Sequence, residues 1–313
     1  MPVTLKLVLA LGILICVPAA SAQQVNDPDF HFQNPSPAFA PGKGPMVCID
    51  SAHNNFHTVD GRYKGFADLL RGDGHVVRDS NRKFTAAVLA ACHVMLIANP
   101  VGDANKNDWA YPHPSTFTRE EIEAVYRWVQ DGGRLLLFVD HSPFPGAMRD
   151  LGAFLGTQML DGYAIVNPGS SNLPDVFRLS DQTLGSHPIL AGRNEKEKVD
   201  AVATFTGSAF LAAPNYTPLL VLPSTAVAAA RLGMNLENLP ISEWPKVPVG
   251  GFLQGAAGRL GKGRVVVMGE AAMCSAQLAG PQKQPMGMNH PRAAQNPQFC
   301  LNVVRWLSGI LGD

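Results

Sequence analysis

The stretch TREEIEAVYRWVQDGGRLLLFV, residues 118–139, spells out one complete helix-to-strand unit. Thr118 followed three residues later by Glu121 is a capping box, in which the hydroxyl accepts from a first-turn amide and the carboxylate reaches back to the cap. Ile122, Val125, Trp128 and Val129 recur at helical spacing and mark one buried stripe. Gly132 and Gly133 end the helix, and RLLLFV (134–139) is apolar at successive positions, as in a strand covered on both faces.

The same rhythm runs upstream. MVCID (46–50) reads as a buried strand, 61–73 as a helix with Tyr63, Phe66, Leu69 and Leu70 on one face, and 75–78 as a short strand. A short helix over 84–91 leads into the strand HVMLIA (93–98). Strands alternating with helices imply right-handed crossovers and a parallel sheet, hence an α/β fold. From 157 onward the segments MLDGYAIV, VFRLS, VATFTGSAFLAA and TPLLVLP suggest a β-rich elaboration in the second half, with no linker to separate it. A strand at 264–268 and a helix over 296–311, with Phe299, Val303, Trp306, Leu307 and Ile310 on its apolar face, close a single domain of residues 45–313.

The N-terminus has the layout of a secretory signal peptide: Lys6, the apolar run 7–17, Pro18, then Ala20, Ser21 and Ala22. Cleavage is expected after Ala22, which puts the protein in the periplasm or outside the cell with no stable membrane insertion. Cys16 does not fit a lipidation box, because Ile15 precedes it where a small residue is needed. Residues 23–44, rich in Pro, Asn and Gln, show no period and read as an extended leader. Losing Lys6 from the 25 Lys and Arg leaves 24 against 25 Asp and Glu, a near-neutral surface that does not recommend nucleic acid as a partner. Four cysteines remain, Cys48, Cys92, Cys274 and Cys300, which an oxidising compartment could pair in three ways. Export, and the placing of two of them about the last polar loop, favour Cys274 with Cys300; Cys48, inside a strand, reads as inert core.

Ligands of open parallel sheets bind beyond the carboxyl ends of the strands. Three polar clusters fall there: the run from Asp50 through His53, Asn54, Asn55 and His57; then Asp140, His141 and Ser142; then Glu270. Imidazoles from His53, His57 and His141 could hold a divalent metal such as zinc, which would lower the pKa of a bound water to about 7. Asp140, His141 and Glu270 are the candidate catalytic groups, and Asn54, Asn55 and Ser142 the candidate substrate-binding ones. Structural alternatives stand beside these: the histidines can hold the turn together, and Asp140 can cap a helix beginning near Gly146. Ser142 is a poor nucleophile, lacking flanking glycines and followed by Pro143. His113 and the loop around Met286, Met288 and His290 could fold over the crevice.

At DHSPFPG (140–146), VDAVATFTGSAF (199–210) and GKGRVVVMGEAAMCSAQLAGP (261–281), and in the helix after NPQF, the chain resembles exported bacterial proteins with a class I glutamine amidotransferase-like domain. The resemblance implies a three-layer α/β/α sandwich of flavodoxin-like character. Amidotransferases place a cysteine after the strand that here reads RLLLFV; this chain has Asp140, His141 and Ser142, so glutamine hydrolysis is not expected. The expected function is hydrolysis of a small polar or carbohydrate substrate, with a carbohydrate- or peptide-binding module or an envelope scaffold as alternatives.

Overall fold

The computed structural model describes residues 24–169 and 174–312. The expected signal peptide lies outside them. Strands β1 (Met46–Asp50), β2 (Val76–Ser80), β3 (Val94–Ala98) and β4 (Arg134–Phe138) alternate with helices α1 (Lys64–Gly72), α2 (Ala86–Ala90) and α3 (Arg119–Gln130). After helix α4 (Phe144–Phe154) come β5 (Thr157–Leu160), β6 (Ala209–Ala212), β7 (Tyr216–Val221), β8 (Leu253–Leu260), β9 (Gly263–Met268) and the last helix α5 (Asn296–Leu307). They form one 9-stranded sheet in the order β2-β1-β3-β4-β9-β8-β6-β5, with β7 also paired to β8. The run from β2 to β9 is parallel. From β8 onward the pairing is antiparallel.

Strand β4 shows why these sequences become strands. Leu136 and Phe138 join a core with α1 and α5, whereas Leu135 and Leu137 join a core with α2, α3 and α4. A period of two thus feeds two cores through one strand, and full burial of each leucine contributes roughly 2 kcal/mol. Helix α3 carries the capping box expected from Thr118 and Glu121.

Several boundaries shift. Helix α1 begins at Lys64, leaving Gly61 and Arg62 in the preceding turn, and α5 stops at Leu307, before Gly309 at φ +80°. The leader is less featureless than its composition suggests. Gln24–Asn26 forms a strand on Ala276–Ala279, which pairs in turn with Gln284–Gly287. Further along, the Ser36 carbonyl accepts from Arg305, whose guanidinium is buried against Asp73. A three-residue edge strand is recruited by backbone pairing, which leaves no side-chain period to read.

The second half adds a 3-stranded sheet of Gly162–Ile165, Val227–Ala230 and Lys246–Pro248, and a 2-stranded ribbon of Asp175–Arg178 and Ala201–Thr204. Cys274 pairs with Cys300 as expected, with Cα atoms 5.8 Å apart. Cys48 is not an inert thiol: it is bonded to Cys92, tying β1 to the turn between α2 and β3. Among the described residues no helix is long and apolar enough to cross a membrane.

Candidate functional site

The segment after β1 divides into a structural half and a pocket half. His53 is fully buried; its Nδ1 lies 2.9 Å from both Asp50 oxygens and its Nε2 2.9 Å from Glu121 Oε1. With a carboxylate at hydrogen-bond distance from each ring nitrogen, both nitrogens are already engaged by the protein. Glu121 serves twice, since its Oε2 closes the capping box at the Thr118 amide. Asn54, at φ +53°, donates to the Val101 carbonyl and to Asp103, and Asn55 donates to the Ala98 carbonyl while accepting from the His53 amide. These three residues strap the turn to the end of β3. The expectation that Asn54 and Asn55 face substrate is therefore corrected.

His57 escapes the strap and enters a cavity of about 360 Å³ at the carboxyl edge of the sheet, where it meets Asp140, His141 and Glu270. Strands β1, β4 and β9 deliver these groups, with β3 lying between β1 and β4. His57 and His141 share the cavity, but His53 is held elsewhere. Among the described residues no group of three or more His, Cys, Asp or Glu is arranged to hold a metal ion. The three-imidazole zinc site is not formed.

Each member has a definite environment. The Asp140 amide donates to Asn99 Oδ1, and Asp140 Oδ1 accepts from the His141 amide. Asp140 does not cap α4, which starts after Pro143 without a side-chain cap. His141 Nδ1 donates to the Ser142 carbonyl at 2.8 Å, leaving Nε2 as the nitrogen with a lone pair, and its ring stacks on Tyr163 at 4.5 Å. Ser142 itself is buried and absent from the cavity wall, so its assignment as a substrate contact is also corrected.

Glu270 is buried, with Oε1 accepting from the Ala272 amide and Oε2 from the Met273 amide, each at 2.7 Å. Burial, and then the charge of Asp140, hold its carboxyl well above the ordinary range despite those amides. For His57, burial first and then the nearby Arg62 and His141 push the pKa down to about 3, so the ring is neutral. Two neighbouring acids with unlike environments, beside the neutral His57, are the arrangement from which acid and base roles separate.

The remaining wall was not foreseen. Arg62, Asn99, Trp109, Phe144, Phe205, Gln277 and the leader residue Gln24 all line the cavity. Asn99, held at φ +46°, follows β3 directly, so the strand-end rule that singled out Asp140 applies equally to it. Arg62 and Gln277 carry no such signal. His113 does not cover the crevice but holds its rim: Nε2 donates to the Trp109 carbonyl and Nδ1 meets Asp161 at 2.7 Å. Met286 is a wall residue on the strand Gln284–Gly287.

Fold and geometry together define an α/β protein with a polar, aromatic-edged pocket at the strand carboxyl ends. A scan of protein-family models and a search of curated proteins each find no match. Among solved structures, the mmIFT52 N-terminal domain aligns with a TM-score of 0.59 at 14% identity, covering 85% of this chain and 98% of that one. A ThuA-like protein from Bacteroides uniformis aligns at 0.46 and 14% identity, covering 90% of this chain and 95% of the other. A beta-galactosidase from Bacillus circulans aligns at 0.43 and 10% identity over 85% of this chain and 31% of its own. The first of these likenesses shows a shared fold; identities this low carry no activity with them.

Proposed function

We propose that the protein is an exported hydrolase acting on a small, hydroxylated substrate such as a sugar derivative, in a domain of the three-layer, amidotransferase-like type. The observation that carries this reading is the meeting of Asp140, His141, His57 and Glu270 in one cavity whose carboxyls differ in environment. His141 Nε2 takes the proton from an attacking water as the new bond forms to the substrate. Glu270, which keeps its proton above the ordinary carboxyl range, gives one to the leaving oxygen as the old bond breaks. Asp140 stabilises the positive charge that builds between them. No step is routed through the three-imidazole zinc site, because both nitrogens of His53 are committed to Asp50 and Glu121.

The layered fold is supported by helices packing against both faces of the sheet. Export is supported by the two disulfides, which persist in oxidising compartments. A binding module that breaks no bond is the second reading, favoured by the two amide bonds that tie down both Glu270 oxygens.

Activated aryl glycosides and esters, assayed with the full exported chain and with His141→Gln, test the proposal. A drop of about 10² to 10⁴ in the variant is expected for loss of a general base. Hydrolysis that survives in His141→Gln would exclude this mechanism, and binding without turnover in the wild type would leave the module.

A further inference from the structure

Arg62 stands on the cavity wall, half-buried, with its guanidinium 5.0 Å from the centre of the Phe56 ring. Among the described residues it makes neither an ion pair nor a side-chain hydrogen bond. Three other buried or half-buried arginines differ. Arg305 is held by Asp73 and Glu197, Arg193 by Glu197, and Arg231 by Glu237. Asp140 acts on the charge of Arg62 through space, while the planar fork itself carries no hydrogen bond and matches a carboxylate through two parallel ones.

The groups around it describe the rest of the ligand. Gln277 is fully buried on the same wall, and its Oε1 has no protein partner, so it can accept from a hydroxyl. His57 Nδ1 is likewise without a partner. Trp109, 36% exposed at the rim, offers an aromatic surface to a ring. A cavity of about 360 Å³ lies at the small end of ligand sites and suits one sugar-sized ring rather than a chain.

We propose that the pocket selects a monosaccharide-sized hydroxy acid of the uronic acid type, with its carboxylate on Arg62 and its hydroxyls on Gln277 and His57. This deepens the hydrolase reading and rests on the same cavity, but it concerns recognition and not bond breaking.

Calorimetric titration of the full exported chain with glucuronate against glucose, and galacturonate against galactose, tests it. The acids are expected to bind about tenfold to a hundredfold more tightly than their neutral partners. Arg62→Gln should erase that preference while keeping the wild-type melting profile, and Arg62→Lys should keep part of it, since charge remains but the fork is lost. Equal binding of acid and neutral sugar, no binding of either acid, or a preference that survives Arg62→Gln would each overturn the proposal. Acid binding without turnover of any glycoside would uphold this inference and remove the hydrolase. Hydrolysis of neutral glycosides with no acid preference would do the reverse.

Discussion

Replacing Glu270 by Gln tests whether a buried, proton-retaining carboxyl sits at the end of β9. The carboxyl accepts from two backbone amides, so a glutamine keeps one acceptor and turns an NH₂ toward the other N–H. An orphaned buried amide costs roughly 1 to 3 kcal/mol, which sets the loss at low pH, where the wild-type carboxyl is protonated in both folded and unfolded chains. Raising the pH reverses the comparison. The unfolded chain releases this proton near 4.5, while the folded chain, whose carboxyl is held higher by burial and by Asp140, retains it. The native state then binds more protons, so wild-type stability falls with a slope of up to about 1.4 kcal/mol per pH unit above that point. Glu270→Gln lacks this term. Urea unfolding of both proteins from pH 4 to pH 8 should show the variant less stable at the acid end. The two curves should meet roughly one to two pH units above 4.5, the distance over which that slope cancels the cost of the orphaned amide. Parallel curves across the range would refute the environment described for Glu270.

On the acid side His57 should dominate. Its folded pKa of about 3 lies below the ordinary 6.5, so the stability it contributes is present above 6.5 and is lost as pH falls toward 3, on the order of 5 kcal/mol in full. His57→Phe should flatten that limb of the unfolding profile, and an unchanged acid transition would show that another group controls it. The Cys274–Cys300 bond closes a loop of 26 residues between the Glu270 turn and α5, so the double Ala variant should lose about 3 kcal/mol in denaturant unfolding. A loss below about 1 kcal/mol would mean that packing alone holds α5 against that turn.

What the chain declares about itself is local. The capping box at Thr118, the stripe of Ile122, Val125 and Val129, and the alternating burial of β4 all depend on residues a few positions apart, so the α/β rhythm was legible. So was the carboxyl edge as the place for polar chemistry, because any apolar strand that ends in Asp140 or Glu270 must turn its charge outward from the core. The partners of those charges were not legible. Nothing near His53 in sequence says that Glu121, 68 residues away, will occupy its second nitrogen, yet that contact takes His53 out of the three-imidazole set. Nor does the leader announce that Gln24 will form part of the cavity wall, or the turn before α1 that Arg62 will stand on it without an ion pair or side-chain hydrogen bond. Periodicity records which face of an element is buried. Which elements end side by side, and so which titratable groups share a cavity and shift one another, is settled only when the strands take their order in the sheet.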